Sequence, residues 1–453
     1  MVPQLNSGSK RGYVVYIILV TCLVFLMFQL ANDKGKRVGI SDTGSYLVSS
    51  PIMNISVSDD VVSDTSENEM STLTNPDQQF ESKDKPSSSH SEQILIKKNL
   101  MFIKTHKCGT STLVDVFYLR GVRKKLNFVM IPYTHQLHSL TRHLLPPRPG
   151  SVYNMQCQHG TFQPDAEHTI MPKETSLYST IVRSPVSQFK SAFSFFGAEG
   201  KMQKKYGHLS IDALIGHYLD EYPEPTENKA SAGRILNSVA VDLGWNTFNR
   251  RNLGQTLQEK INAFIEHLDQ EMDFVMITDR MNESLILLKE YLGWNMTDIV
   301  YLNRMVSSKP KVTMSEETKA RILQYQVIDA QIFDQFNKTF ELHLDRVGRE
   351  KVASQVKEFE EMRESFENKC FNKDKTINGP YKSISWEISE YGRNTNVACT
   401  FLQTRDVTLT NVITQLQLSQ DYTVPIEGQK GPLLMRDIVS KIQRDYDNNE
   451  DPV

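Results

Sequence analysis

This chain has no basic excess, few cysteines and no internal repeat. Among 453 residues, 51 lysines and arginines stand against 54 aspartates and glutamates, a formal net charge of −3. A domain that grips nucleic acid usually carries a basic surplus, so the balance argues against a nucleic-acid partner. Five cysteines in a chain of this length exclude a disulfide-dense mini-domain. Hydrophobic residues at 39% exclude a chain disordered throughout. The length leaves room for two or three domains.

The charge is unevenly placed. Residues 1–40 carry Lys10, Arg11, Lys34, Lys36 and Arg37 against Asp33 alone, whereas residues 41–92 carry ten acids against Lys83 and Lys85. Between the amino-terminal lysines and arginines lies an uncharged apolar run at 13–31. As a helix it reaches about 28 Å, enough to cross a bilayer core. It is longer than a signal-peptide core and no small-x-small cleavage site follows it. The expectation is a short cytoplasmic tail at 1–12, a signal-anchor at 13–31, and the bulk of the chain in the lumen of the secretory pathway. Flanking charges do not decide the orientation. N-x-S/T sequons at Asn54, Asn282, Asn295 and Asn337 all lie beyond the anchor and favour the lumen. Cys108, Cys157, Cys370 and Cys399 allow one or two disulfides there. Residues 32–92 are acidic and serine-rich with few aromatics, and read as a disordered stem.

From residue 93 the texture changes, and a folded domain is expected over 93–440 with a tail at 441–453. Ile94–Ile96 and Leu100–Ile103 are strand-like runs leading into K-T-H-K-C-G-T-S-T at 104–112. Leu113, Val116, Phe117 and Leu119 then suit a helix. Tyr178–Val182 and Asp273–Thr278 are further buried-strand candidates, each followed by a helical pattern, at Val186–Phe196 and Ser284–Tyr291. Strands alternating with helices predict an α/β domain with a mostly parallel sheet. Ile322, Tyr325, Ile332, Phe336 and Phe340 predict one long amphipathic helix. The charged stretch at 345–367 reads as a solvated helix.

A strand that ends in a Lys/Gly/Ser/Thr loop and opens a helix can cradle a phosphate. Amides at the helix start point at the anion and a lysine adds charge. The order here does not fit the nucleotide triphosphatase loop, because Lys107 precedes Gly109. An ordinary polar turn is the bland alternative. Arg183 after the second strand, with Ser191 eight residues on, supplies a second phosphate grip. The two together suit a nucleotide phosphorylated at both its 5′ and 3′ positions.

These segments resemble the galactose 3-O-sulfotransferases. F-I-K-T-H-K-C-G-T-S-T-L at 102–113 is similar to the family's opening loop, and I-V-R-S-P-V-S-Q-F-K-S-A-F-S-F-F at 181–196 to its 3′-phosphate segment. C-Q-H at 157–159, E-S-L-I-L-L-K at 283–289 and F-N-K-T-F at 336–340 continue the agreement. The resemblance implies a P-loop-like sulfotransferase fold, a central mostly parallel sheet flanked by helices. It also implies 3′-phosphoadenosine 5′-phosphosulfate (PAPS) as co-substrate, and no metal. The acceptor it implies is a galactose-terminated glycan or a glycolipid such as galactosylceramide, met at the Golgi membrane. Cofactor-binding residues carried over are Lys104, Thr105, His106, Lys107, Cys108, Gly109, Thr110, Ser111 and Thr112, with Arg183 and Ser191. Lys107 is the expected leaving-group cation and His159 the expected general base, Asp165 and Glu174 being the carboxylate alternatives. His159 as a structural histidine, and Lys104 as a solvated strand-end lysine, stay open. Cys108 departs from the family's threonine and puts a thiol in the loop. His135, His138 and His143 lack a clean metal-ligand set. A Cys370–Cys399 disulfide would tie down the carboxy-terminal part, although spacing does not fix connectivity. Asn337 falls at a family sequon. A uronyl 2-O-sulfotransferase, a non-catalytic binding relative and a homo-oligomer remain open alternatives.

Overall fold

A computed structural model describes residues 95–132, 134, 137, 144–222, 234–252, 254–302, 306–307, 313–378, 383–394 and 397–419. The expected anchor at 13–31, the stem at 32–92, the Asn54 sequon, His135, His138, His143 and the tail at 441–453 lie outside these residues. No helix among the described residues is long and apolar enough to cross a membrane.

Four short strands build the central sheet: β1 (Asn99–Ile103), β2 (Met155–Gln156), β3 (Ser176–Val182) and β4 (Phe274–Ile277). Their order is β2-β1-β3-β4 and every pairing is parallel, with Phe102 opposite Ser179 and Val182 opposite Ile277. All residues of all four strands are buried. A parallel sheet buried on both faces reads as continuous runs rather than alternation, which is why β1, β3 and β4 are visible in the sequence. Helices α1 (Thr110–Lys124), α2 (Pro164–Ile170) and α3 (Pro185–Phe195) follow β1, β2 and β3. Between β3 and β4 the chain continues through α4 (Ala198–Tyr206), α5 (Ile211–Asp220), α6 (Ser238–Asp242), α7 (Trp245–Arg251) and α8 (Leu257–Glu271), and α9 (Met281–Leu292) follows β4.

The carboxy-terminal part comprises β5 (Val306–Ser307), α10 (Glu316–Tyr325), α11 (Val327–Val347), α12 (Arg349–Cys370), β6 (Phe371–Asn378), β7 (Ser383–Ile388), α13 (Glu390–Asn394), α14 (Val397–Gln403) and α15 (Asp406–Leu418). Helices α9 and α11 pack on β4, and α14 and α15 pack on α1. The main core holds Phe102 edge-on to Phe117 at 5.1 Å and Phe274 against Phe340 at 6.0 Å. Each such ring contributes about 2–3 kcal/mol of transfer free energy. A smaller core of Phe189, Phe193, Leu214, Ile215, Tyr218 and Ile322 holds α3 in place.

Three expectations change. Leu95 and Ile96 are exposed, and the strand begins only at Asn99. The long helix predicted through Ile322 and Phe340 is two helices that break at Gln326. The buried Gln326 side chain accepts from the Asn237 N–H and donates to Gln188 Oε1, so tertiary contacts override the helical repeat. The antiparallel strands form a separate sheet, ordered β5-β7-β6, which the sequence reading did not anticipate. Cys370 and Cys399 are joined by a disulfide that ties the end of α12 to α14.

Candidate active site

The loop between β1 and α1 is pinned from below. Thr105 Oγ1 donates to the Ile181 carbonyl (2.6 Å), Thr110 Oγ1 to the Thr105 carbonyl (3.1 Å), and Thr278 Oγ1 to the Cys108 carbonyl (2.8 Å). The hydroxyls of Thr105 and Thr110 are thus spent on the backbone, which leaves amides as their offering to a ligand. Gly109 precedes α1 at φ 77°, and a Cβ there would come within 3.1 Å of Met281 Cε. No side chain caps the start of α1. Its first-turn amides and dipole therefore face the loop side, as an anion site requires.

Lys107 has φ 63°, a left-handed conformation that costs a non-glycine residue about 1–2 kcal/mol. Its ammonium lies 3.6 Å from the centroid of the Phe195 ring. Burial, and then the charge of Arg183, lower the Lys107 pKa to about 8. Arg183 donates from Nη1 to the Lys107 carbonyl at 3.2 Å, while its buried Nε has no partner among the described residues. Two partly buried cations with an unused donor describe a site shaped for an anion. Ser191 lies half-buried on α3, the helix that Arg183 leads into.

Two aspartates distant in sequence complete the surroundings. Asp406, in the first turn of α15, accepts from Lys104 Nζ (3.2 Å) and Ser111 Oγ (3.0 Å). Lys104 is buried, so it is a paired cation rather than a solvated one. Asp242, at the end of α6, accepts from the His106 backbone N–H (2.6 Å) and sits 2.8 Å from His106 Nδ1. When Asp242 is ionised its carboxylate only accepts, and Nδ1 is then the donor in this contact. The His106 ring stacks on that of His159, with centroids 4.4 Å apart. His159 is half-buried on the segment after β2. Sheet, loop and α6 thus bring Lys107, Arg183, His106 and His159 to one edge.

Other expected residues fall elsewhere. Cys108 is fully buried in the core, so its thiol lines no cradle, and burial raises its pKa to about 12. Glu174 is exposed beside the amino-terminal end of β3, the edge opposite the loop, and Asp165 is exposed on α2. Asn337 and Asn295 are exposed. Asn282 is half-buried, and its amide donates to Glu360 and accepts from Tyr301 Oη. Sequence reasoning missed Asp242, Asp406 and Phe195. The first two act across 136 and 302 residues, a separation that leaves no local signal. Phe195 was hidden within an apolar helical pattern.

Comparison with known proteins agrees with this geometry. A family model described as galactose-3-O-sulfotransferase matches residues 9–384. Human galactosylceramide sulfotransferase is 27% identical over 285 residues, 61% of this chain and 64% of the relative. Mouse galactose-3-O-sulfotransferase 3 is 27% identical over 284 residues, with the same coverage of 61% and 64%. Mouse galactose-3-O-sulfotransferase 2 is 26% identical over 284 residues, covering 59% and 67%. The chain spans less than two thirds of the length of the first two.

Proposed function

Since the chain belongs to the galactose-3-O-sulfotransferase family, we propose that it transfers a sulfuryl group from PAPS to the 3-hydroxyl of a β-linked galactose. The observation that carries this reading is the pair of under-neutralised cations, Lys107 and Arg183, beside an uncapped helix start. The α1 amides and Lys107 hold the 5′ phosphosulfate, and Arg183 with Ser191 holds the 3′-phosphate. During transfer the bond between sulfur and the phosphate oxygen breaks as the galactose oxygen bonds to sulfur. Lys107 stabilises the charge left on the phosphate. His159 takes the hydroxyl proton, a contribution of about 10²–10⁴ in rate. The acceptor is a galactose-ended glycolipid or glycan. The anchor-like run at 13–31 and the stem support a Golgi type II protein with this domain in the lumen.

The test is incubation of the protein with ³⁵S-labelled PAPS and galactosylceramide, lactosylceramide, N-acetyllactosamine and desulfated heparin. Label on a galactoside, mapped to O3, is the expected result, and His159→Ala should lower it about 100-fold or more while donor binding persists. Label on heparin alone would make the chain a uronyl enzyme. No label on any acceptor, with donor still bound, would make it a binding protein.

A further inference from the structure

Helices α14 and α15 lie beyond residue 384, where the family match ends, yet α15 reaches the donor loop. Its buried residues Leu409, Val412, Ile413 and Leu416 recur at helical spacing, so one face of α15 packs inward. Asp406 stands three residues before Leu409 on that face, which carries its carboxylate onto the loop. One oxygen, Oδ2, accepts from Lys104 Nζ at 3.2 Å and from Ser111 Oγ at 3.0 Å. Lys104 directly follows β1, and Ser111 lies in the first turn of α1. A single carboxylate oxygen thus joins the two ends of the phosphate loop. We infer that Asp406 is a positioning residue, a clasp that holds this loop closed so that the first-turn amides of α1 meet the 5′ end of the donor. This rests on the donor-site reading given above. In it Asp406 acts through Lys104 and Ser111, not on the substrate.

The neighbouring contacts fit a clasp. Lys104 is 4% exposed, so its ammonium is set against Asp406 and not toward an arriving nucleotide. A buried cation is costly unless an anion meets it, and Asp406 meets this one. The other carboxylate oxygen, Oδ1, accepts from the Val407 N–H at 2.9 Å, which holds the group in place. The Asp406 carbonyl accepts from Thr410 Oγ1 at 2.9 Å, and Thr410 Oγ1 lies 3.0 Å from Tyr118 Oη of α1. At the far end of α15, Gln417 accepts from the Phe128 N–H and donates to the Phe128 carbonyl. The helix is therefore fixed at one end on α1 and at the other on the segment after it. The Cys370–Cys399 disulfide ties down α14 just before it. Burial, and then Arg183, lower the Lys107 pKa, whereas the charge of Asp406 opposes that fall and favours the charged lysine.

The experiment joins calorimetric binding of adenosine 3′,5′-bisphosphate to amide hydrogen exchange. Both are measured on the full chain, on Asp406→Ala, on Ser111→Ala and on the double variant. Without nucleotide, the amides of 105–112 should exchange about tenfold faster in each single variant, while α15 keeps its protection in Ser111→Ala. Affinity should fall about fivefold in Ser111→Ala, the worth of one ordinary hydrogen bond, and further in Asp406→Ala. The double variant should bind within about twofold of Asp406→Ala, because both changes open the same clasp. A merely structural Asp406 would loosen α15 and lower the melting temperature. Loop exchange and affinity would then stay as in wild type in folded Asp406→Ala, and that result would overturn the proposal. Additive losses in the double variant would overturn it as well. So would a Ser111→Ala that binds weakly with its loop exchange unchanged, since Ser111 would then meet the nucleotide directly. Should Asp406→Ala fail to fold, Ser111→Ala keeps the Lys104–Asp406 pair and decides by the same two readings. A wild type that binds no bisphosphate would sink the donor-site reading instead, and loop exchange would still decide the clasp.

Discussion

At the scale of the residue, the site is defined by Lys107 and Arg183, two cations that make no ion pair with the described residues. Burial disfavours the protonated form of Lys107, and the neighbouring charge of Arg183 adds to that effect. The free-protein pKa of Lys107, about 8 rather than 10.5, fixes the sign of a test. A bound anion favours the charged lysine, so binding above pH 8 must take up a proton. Affinity for adenosine 3′,5′-bisphosphate should be level from pH 6.5 to 7.5. It should fall by up to about tenfold per unit above pH 8. Lys107→Arg stays charged throughout that range, and calorimetry should find its affinity flat. Equal slopes for both proteins would mean that Lys107 does not meet the anion. Cys108 shows how a neighbouring position can differ: a thiol in the loop sequence becomes a core side chain in the fold.

At the scale of the element, strands β1, β3 and β4 were legible because short apolar runs had to be buried on both faces. β2 was not, since two residues give no period. The loop and its helix were legible from their order of lysine, glycine and hydroxyl residues. The partners that orient them were not, because Asp242 and Asp406 arrive on α6 and α15 through tertiary folding alone. The break at Gln326 has the same cause: its side chain satisfies Asn237 and Gln188 at the cost of one continuous helix. The carboxy-terminal helices matter to the site because α15 supplies Asp406 and packs on α1 beside α14. The Cys370–Cys399 link anchors that layer across a separation of 29 residues. Its loss in Cys399→Ser should cost about 3 kcal/mol of stability. Thermal melting should show the drop, and a reductant should lower the wild-type midpoint but not the variant's. Unchanged melting would mean that the layer is held by packing alone.

At the scale of the whole molecule, buried acids set the pH response of stability. Burial raises Glu167, on α2, to about 8 and Asp329, on α11, to about 7. The unfolded chain releases these protons near pH 4, whereas the folded protein retains them. Stability is therefore fullest below pH 4 for these two groups and is lost as pH rises through 7 and 8. His343, lowered to about 4 by burial, acts in the opposite sense only below pH 6.5. Between pH 6.5 and 8 the melting temperature should fall, at about 1 kcal/mol per unit from Glu167. Glu167→Gln should flatten that slope, and an unchanged slope would remove the assignment. The central claim, however, is that two phosphate grips on one sheet edge hold a doubly phosphorylated nucleotide. Its most direct measurement is calorimetric binding of adenosine 3′,5′-bisphosphate and of adenosine 5′-phosphate to wild type and Arg183→Ala. The account predicts that wild type prefers the bisphosphate by about 100-fold, some 3 kcal/mol for one charge-assisted contact, and that Arg183→Ala erases the preference. Equal affinity of wild type for the two nucleotides, or a preference that survives Arg183→Ala, would contradict it.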